Sequence, residues 1–338
     1  MMKWSLAACV LALACGCGPD LTTAAQAGET ALFDLQGHRG ARGLRPENTL
    51  AAFRHALEIG VTTLELDCGV TRDGVVVVSH DSVLNADITR GPDGKFLGGA
   101  GAPLVARTYE QLQAFDVGRL RPGSEYAARF PEQQPVDGER IPRLKDLFAL
   151  VEKSGNRTVR LNIETKIDPL QPALTVEPKA MVEAIVAVIR DAGMASRVTI
   201  QSFDWRTLAL VRRLAPEIAT VALTDQQPGY DTVEAGKPGA SPWLGGIDVD
   251  DHGGSVPKAV AAIGAKVWSP DALDLTPGAI AEAHALGLAV IPWTVNDPKD
   301  MANALAAGVD GMISDRPDIL RALLVSKGIA VPPPTLAK

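Results

Sequence analysis

The chain lacks an excess of basic residues, and this absence excludes one class of partner. Its 33 lysines and arginines are outnumbered by 40 acidic residues, which leaves a formal net charge of −7. No basic cluster is present that could neutralise a series of nucleic-acid phosphates, so we predict no nucleic-acid partner. Hydrophobic residues make up 46% of the 338 positions, which is enough for a globular protein with a large core.

Cysteine is scarce beyond the N-terminus. Three of the four cysteines fall within the first 17 residues, and Cys68 alone follows them. An internal disulfide is therefore excluded from the folded body, whose stability must come from its core. Cys68 directly follows Asp67 in a predicted strand, so the two side chains face opposite sides, and we interpret Cys68 as a small packed hydrophobic residue.

Residues 1–30 are predicted to be an export signal followed by a polar linker. One lysine precedes an apolar run that is too short to span a bilayer and ends in small residues and cysteine. The ending Leu13-Ala14-Cys15 resembles a bacterial lipoprotein processing site, with Cys15 or Cys17 as the lipidated residue. Ordinary cleavage near Ala25 to Ala27 is the alternative. Both interpretations predict export to the bacterial periplasm, and the first adds a membrane anchor.

Strands and helices alternate through residues 31–325, which predicts an α/β fold, a somewhat distorted TIM (β/α)8 barrel. Nine strand candidates compete for eight places, so one is accessory or forms half of a ribbon around Asp73-Gly74. Residues 86–140 are rich in glycine and proline and predict a loop-rich insertion at the C-terminal mouth of the barrel. Residues 326–338 predict a disordered or surface tail.

Two local details of this prediction are specific enough to test. Asn48 is a suitable N-cap for a helix over about residues 49–59. The apolar run Ala289–Asn296 predicts a strand near the end of the barrel.

Two stretches carry ionisable side chains at predicted strand ends. Glu65 and Asp67 are two residues apart, so a strand directs both carboxylates to one face. The Asp73-Gly74 pair favours a tight reversal, and regular pairing around it would set His80 opposite Asp67. The apolar residues around these groups indicate a mostly buried site rather than an exposed ribbon.

Further polar residues are predicted at the same mouth, because the C-terminal ends of barrel strands meet there. They are His38, Arg39, Glu164 and Lys166. Three carboxylates without a soft ligand suit Ca²⁺ or Mg²⁺ rather than zinc. Two imidazoles can act as general base and general acid, and two fixed cations indicate an anionic substrate, for which phosphate is the simplest choice. We therefore hypothesise a phosphodiester displacement.

An ordered set of motifs resembles the glycerophosphodiester phosphodiesterase family between about residues 33 and 320. The motifs are Gly37-His38-Arg39-Gly40, Arg45-Pro46-Glu47-Asn48-Thr49, Glu65-Leu66-Asp67, His80-Asp81, Asn162-Ile163-Glu164-Thr165-Lys166, Gln201-Ser202-Phe203, Trp293-Thr294-Val295-Asn296 and the run from Asp310 to Pro317. The resemblance implies a TIM barrel that depends on Ca²⁺ or Mg²⁺. It also implies release of sn-glycerol 3-phosphate and an alcohol from deacylated phospholipids.

The resemblance also implies roles for single residues. His38 and His80 are similar to the acid/base pair of the family, and the metal ligands correspond to Glu65, Asp67 and Glu164. The implied substrate contacts are Arg39, Lys166, Glu47 and Trp293, of which Trp293 matches the aromatic residue that lines the glycerol pocket. Asp315 is interpreted either as a neighbour of the metal ligands or as a cap, and is left outside the site.

Two other functions stay open from the sequence. A related phospholipase D-like or phosphoinositide-cleaving enzyme on the same barrel would need apolar side chains along the insertion, which has few large ones. A non-catalytic lipoprotein that binds phosphodiesters would need a broken acid/base pair, whereas both histidines are present.

Overall fold

The computed structural model describes Met1 and residues 32–336, and its compact unit begins at Leu32. The predicted export signal, with Cys15 and Cys17, lies outside the described residues. Within the described ranges, no helix combines the length and the apolar character needed to cross a bilayer.

Eight parallel strands form a nearly closed barrel, which confirms the predicted fold class. The nine strands of the sheet are β1 (Asp34–Gly37), β2 (Thr63–Val70), β3 (Val76–Val78), β4 (Arg160–Thr165), β5 (Val198–Ser202), β6 (Ala219–Thr224), β7 (Val267–Pro270), β8 (Ala289–Val290) and β9 (Gly311–Ser314). The parallel strands follow the order β8-β7-β6-β5-β4-β2-β1-β9. Hydrogen bonds from Asp310 N–H to the Val290 carbonyl (2.9 Å) and from Ile313 N–H to the Pro292 carbonyl (3.0 Å) connect the two ends.

Strand β3 pairs antiparallel with β2, so the ninth strand belongs to the predicted ribbon around Asp73-Gly74. Its register differs from the prediction by one residue, because the reversal has three residues between Thr71 and Val75 instead of two. Gly74 has a φ of 77°, the left-handed conformation that a three-residue reversal needs. The prediction that His80 faces Asp67 is therefore wrong: the Ser79 N–H donates to the Asp67 carbonyl at 2.9 Å.

The part of the chain that the structure describes contains ten α-helices beside the strands. They are α1 (Leu50–Ile59), α2 (Tyr109–Leu112), α3 (Glu125–Ala128), α4 (Leu144–Lys153), α5 (Pro178–Asp191), α6 (Trp205–Leu214), α7 (Val256–Ala262), α8 (Pro277–Ala285), α9 (Pro298–Ala307) and α10 (Pro317–Ser326). The N-cap of α1 is Thr49, whose side chain accepts from Ala52 N–H. The prediction of Asn48 as the cap is wrong, because Asn48 has a φ of 56° and its amide donates to Asp67 instead.

Side chains along β2 alternate between an apolar face and a polar face of the sheet. Leu64, Leu66 and Cys68 are fully buried in the main hydrophobic core, whereas Glu65 and Asp67 face the opposite side. The packed, buried position of Cys68 confirms its interpretation as a small hydrophobic residue.

Strand β8 ends earlier than the sequence predicts. The expected strand Ala289–Asn296 has only two residues in regular pairing, and Pro292, which has no N–H to donate, interrupts the hydrogen-bond pattern. Hydrogen bonding to β7 continues as far as Trp293, whose N–H bonds the Pro270 carbonyl, and Val295 N–H then bonds the Ile313 carbonyl of β9.

The insertion after His80 contains only short elements, among them α2 and α3. Its large apolar side chains pack into a second small core with residues of the ribbon, namely Val77, Leu84, Leu104, Leu112, Phe115, Val117 and Ile141. At the other end of the chain, residues 331–336 lie on the surface, where Thr335 N–H donates to the Leu57 carbonyl at 2.8 Å.

Candidate active site

Three carboxylates meet at the C-terminal ends of β2 and β4. Each of Glu65, Asp67 and Glu164 offers an oxygen that lies within 4.8 Å of the others, and all three are buried. Asp67 and Glu164 are direct partners in the β2–β4 register, and Glu65 follows from the period-2 alternation of β2. The structure therefore brings together the three acids that the sequence analysis proposed as metal ligands.

Two of these carboxylates are held by neutral hydrogen-bond donors. Glu65 accepts from the backbone N–H of Arg39 at 2.8 Å and from the Gln201 amide at 2.7 Å. Asp67 accepts from the Asn48 amide at 2.9 Å. These bonds orient the carboxylates without supplying a positive charge to compensate for their burial.

Burial and mutual repulsion act strongly on the acids. Burial, with the nearby Asp67 charge, raises the pKa of Glu65 well above its ordinary value. Burial likewise raises the pKa of Glu164 to about 7, although Lys166 acts against it. Burial also opposes ionisation of Asp67, but His80, Arg39 and Lys166 together lower its pKa. A bound cation would stabilise the ionised form of three carboxylates that lie this close together.

His38 belongs to a buried network that joins the first and last barrel strands. Its Nδ1 lies 2.7 Å from Oδ1 of Asp315, and its Nε2 lies 3.9 Å from the nearer Glu65 oxygen. Arg42 donates to both oxygens of Asp315, at 2.8 and 3.0 Å, and Asn296 donates at 2.8 Å. Burial, together with the Arg42 charge, lowers the pKa of His38 to about 4.

His80 has the same arrangement with a partner next to it in the chain. Its Nδ1 lies 2.7 Å from Oδ1 of Asp81, and Asn85 donates to the other Asp81 oxygen at 2.7 Å. Burial, followed by the charges of Arg39 and Lys166, lowers the pKa of His80. In both imidazoles the bond at Nδ1 leaves Nε2 free for a ligand.

The cationic residues of the site are paired with carboxylates. Lys166 lies 2.7 Å from Glu164 and 3.8 Å from Asp67. Arg39 binds Glu47 at 2.7 Å, and its Nε lies 3.5 Å from Asp67. Glu47 also accepts a hydrogen bond from the Tyr126 hydroxyl, so this glutamate contacts Arg39 from the side of the insertion.

Most of the predicted site residues line one cavity of about 380 Å³ at the barrel mouth. The predicted residues in its wall are His38, Arg39, Glu65, His80, Glu164, Lys166 and Trp293. Trp293 packs edge to face against Phe203, with ring centroids 5.3 Å apart. Asp67 and Glu47 are not in this wall: Asp67 is 1% exposed beneath its neighbours, and Glu47 is 5% exposed behind Arg39.

Several residues that shape this site are not among those that the sequence predicts. Asp315 is the partner of His38 although the prediction places it outside the site, and the sequence does not point to Arg42 or Tyr126. The only signal for Asp315 is its place at the end of the last strand, which fits a capping residue equally well. Asp81 was part of a motif but was given no role, and its position next to His80 could have indicated the pairing.

The donor set fits a hard divalent cation. Three carboxylates supply only oxygen ligands, the type that Ca²⁺ and Mg²⁺ prefer. The one cysteine among the described residues, Cys68, is buried in the core, so no thiolate joins the acids. The ionised form of the raised-pKa glutamates would be stabilised by the cation itself.

Comparison with known proteins identifies the family. A curated glycerophosphodiester phosphodiesterase from Caldanaerobacter subterraneus is 29% identical over 291 residues, which cover 86% of this chain and 97% of the relative. A crystal structure from Silicibacter pomeroyi DSS-3, assigned as a glycerophosphoryl diester phosphodiesterase, is 37% identical with a TM-score of 0.79 and covers 90% of this chain and 96% of its own.

A more distant crystal structure shares the fold. The Oleispira antarctica phosphodiesterase, solved with the product sn-glycerol-3-phosphate, is 20% identical with a TM-score of 0.62, and the match covers 87% of this chain and 97% of its own. The sequence model of the glycerophosphoryl diester phosphodiesterase family matches residues 38–319, which include every residue of the site described above. The chain belongs to the glycerophosphoryl diester phosphodiesterase family.

Proposed function

We propose that this protein hydrolyses glycerophosphodiesters to sn-glycerol 3-phosphate and an alcohol, with a divalent cation and two histidines as its catalytic groups. The observation that carries the proposal is the cavity whose wall contains Glu65, Glu164, His38 and His80 together. Family membership supports the reaction, and the product complex of the Oleispira antarctica relative supports a small-molecule substrate with this phosphate.

The cation would be Ca²⁺ or Mg²⁺, held by Glu65, Asp67 and Glu164. When bound, it supplies positive charge to a phosphate oxygen and acidifies a nearby hydroxyl group or water. Arg39 adds a guanidinium charge and Lys166 adds an ammonium charge in the same wall. Both offset the negative charge that grows on the phosphate in the transition state.

The two imidazoles divide the proton transfers. One Nε2 removes the proton of the attacking oxygen, which belongs either to water or to a glycerol hydroxyl of the substrate. The other protonates the departing alkoxide. Asp315 and Asp81 each accept from the Nδ1 side of their histidine, which holds the ring and leaves Nε2 directed to the reaction. Trp293 offers an apolar wall for the glycerol carbons.

The main experiment incubates the purified protein with glycerophosphocholine and measures sn-glycerol 3-phosphate. We expect sn-glycerol 3-phosphate to be released without EDTA and not with EDTA, because the three acids can bind the phosphate only through a cation. Adding back Ca²⁺ or Mg²⁺ separately identifies the effective ion. Release of choline phosphate instead would show that a different bond is cut and would contradict the proposal.

A matched pair of variants tests whether Glu164 is a ligand of the cation. Glu164→Gln removes one carboxylate charge from the cluster and should raise the concentration of ion needed for half-maximal activity. Glu183→Gln removes the same charge from the exposed face of α5, where Glu183 pairs only with Lys179, and should leave that concentration unchanged. Equal behaviour of the two variants would remove Glu164 from the metal site.

The alternative of an enzyme that acts on intact lipids has less support. Such an enzyme would need exposed apolar side chains along the insertion to receive an acyl chain. Leu104, Leu112, Phe115 and Val117 of the insertion are buried in its own small core, and none of the exposed large hydrophobic residues of the described chain belongs to residues 87–139.

We further propose that the protein is exported to the periplasm and anchored through Cys15 or Cys17. The support is the sequence pattern of residues 1–17. Metabolic labelling with a fatty acid tests the anchor: the wild-type chain should incorporate label, and either Cys15→Ser or Cys17→Ser should abolish it. Unlabelled protein in the soluble periplasmic fraction would favour cleavage near Ala25 to Ala27.

A further inference from the structure

We propose that Arg129, which lies in the insertion, is a substrate-binding residue that donates hydrogen bonds to the phosphate of the diester and to the phosphate of the product. Arg129 lies in the wall of the cavity that contains both histidines and the metal-binding glutamates. The inference rests on the proposed function, because it adds a contact at the same site.

The first argument concerns which positive charges are available to a ligand. The cavity wall contains three cationic side chains besides Arg129, and a carboxylate already engages each of them: Arg39 pairs with Glu47, Arg42 with Asp315, and Lys166 with Glu164. Arg129 forms no ion pair with any residue in the described part of the chain. It can therefore bind an anion without giving up an existing partner.

The second argument is that the backbone carrying Arg129 is firmly attached to the catalytic motif. Tyr126, one turn earlier, donates its hydroxyl proton to Glu47 and accepts from Arg42 at 3.3 Å. Phe130, the next residue, packs under the guanidinium group of Arg42, whose carbon lies 4.7 Å from the ring centroid. The insertion thus holds Arg129 beside the residues that surround His38.

Two further bonds attach the end of this segment. The Gln133 amide donates to the Arg42 carbonyl at 2.7 Å, and Gln134 N–H donates to the Leu44 carbonyl at 2.9 Å. A segment tied at both ends loses little additional freedom when a ligand binds, so most of the energy of a new hydrogen bond contributes to affinity.

The third argument concerns the geometry of the guanidinium group itself. It lies near the rings of Tyr126 and Phe130, with centroid distances of 5.5 and 5.7 Å. Stacking against aromatic rings restrains the plane of an arginine and leaves its N–H edge free. An edge of parallel N–H groups matches two phosphate oxygens, so this residue can bind a phosphate through two hydrogen bonds.

The experiment uses four forms of the protein: wild type, Arg129→Ala, Arg129→Lys and a matched control, Arg140→Ala. Arg140 is also an exposed arginine of the insertion, but it lines none of the cavities described and has no ion pair among residues 32–336. Glycerophosphocholine is the substrate, because its phosphodiester is its single anionic group. Calorimetry of sn-glycerol 3-phosphate binding, with Ca²⁺ and separately with Mg²⁺, provides a measurement that does not depend on turnover.

We expect Arg129→Ala to lower kcat/KM for glycerophosphocholine about tenfold, mainly through KM, and to raise the Kd for sn-glycerol 3-phosphate by about the same factor. Arg140→Ala should change neither. Arg129→Lys keeps the charge but loses the planar edge, and should fall between wild type and Arg129→Ala. Thermal melts of all four proteins should agree, because both arginines are exposed.

The outcomes separate this inference from the proposed function. If wild type releases sn-glycerol 3-phosphate but Arg129→Ala behaves like Arg140→Ala in both measurements, the role of Arg129 is wrong and the hydrolase remains. If wild type shows no turnover but binds sn-glycerol 3-phosphate more tightly than Arg129→Ala does, the phosphate contact stands without the hydrolase. No binding of sn-glycerol 3-phosphate by wild type would overturn the contact.

Discussion

The two histidines of the site have nearly identical partners but obtain them in opposite ways. In both, Nδ1 lies 2.7 Å from a carboxylate oxygen. The partner of His80 is Asp81, its neighbour in the chain, whereas the partner of His38 is Asp315, 277 residues away. The side chains of His38 and Asp315 are 11% and 2% exposed, against 31% and 30% for His80 and Asp81.

This difference shows how much of the folded structure each histidine–aspartate pair requires. The His38 pair exists only because β1 lies beside β9, so it forms when the first and last strands pair. Asp315 also accepts hydrogen bonds from Arg42 and Asn296, so the orientation of His38, a proposed catalytic residue, depends on the packing of the last strand. The His80 pair needs only a local turn at the end of the ribbon. We expect the first pair to be sensitive to the global fold and the second to be largely independent of it.

The largest expected effect comes from removing either imidazole. His38→Ala and His80→Ala should each lower kcat by about 10² to 10⁴, because each removes one proton transfer. Steady-state release of sn-glycerol 3-phosphate measures this loss. His55→Ala is the matched control, since His55 contacts Glu58 on the surface of α1 and lies outside the cavity. Near-normal turnover of His38→Ala would refute its role.

The second-largest effect should distinguish Asp315 from Asp81 by how much each carboxylate contributes to the stability of the protein. Asp315→Asn should lower kcat about 100-fold through His38 and destabilise the protein by about 3–5 kcal/mol, because it leaves the buried Arg42 without its counterion. Urea unfolding together with turnover measures both. Asp191→Asn, which alters an exposed acid at the end of α5 that forms no ion pair among residues 32–336, should retain the wild-type midpoint. An Asp315→Asn protein as stable as wild type would contradict the comparison.

Asp81→Asn should have a smaller effect. Its carboxylate is partly exposed and orients only His80 and Asn85, so we expect about a tenfold loss of kcat and a change in stability below about 1 kcal/mol. The same urea and turnover measurements apply. If Asp81→Asn destabilised the protein as much as Asp315→Asn, the second pair would be part of the global fold after all.

The smallest effect concerns pH. Burial lowers the pKa of both imidazoles, and their carboxylate partners act against it, so replacing a partner with asparagine lowers the pKa further. A base must be neutral and an acid protonated, so the affected limb of the kcat/KM profile moves to lower pH in either case, by less than about one unit.

The limb that moves assigns the roles. Movement of the acidic limb in Asp315→Asn identifies His38 as the base, and movement of the basic limb identifies it as the acid. Asp81→Asn should move the other limb. Movement of the same limb in both variants would show that the two histidines do not divide the proton transfers.

The parts of the fold that follow from local pattern were predicted well from the sequence. The sequence predicts helices over Trp205–Leu214 and Pro298–Ala307, and these are the bounds of α6 and α9, because apolar periodicity and an N-terminal proline or aspartate mark them. The wrong predictions concern positions whose conformation depends on a single turn residue or a single hydrogen bond to another part of the chain. A three-residue turn shifted the ribbon by one position, and the hydrogen bond from Asn48 to Asp67 moved the cap of α1 to Thr49.

The residues of the candidate site likewise differ in whether the sequence alone predicts their positions. The convergence of Glu65, Asp67 and Glu164 was predictable, because side-chain alternation and parallel strand ends follow from the chain alone. The roles of Arg42 and Arg129 were not predictable, because neither residue has a distinguishing neighbour in sequence. Their positions depend on how the insertion packs on the loop after β1.

By itself, then, the sequence determined the fold class, the faces of the strands and the residue types gathered at the barrel mouth, since these depend on period and composition. Tertiary structure alone decided which carboxylate contacts His38, how deeply the Asp315 network is buried and which cationic side chain of the cavity wall forms no ion pair among residues 32–336. The physical reason is that hydrogen bonds and ion pairs act over a few ångströms, so a residue 277 positions away becomes a partner only when the first and last strands pair.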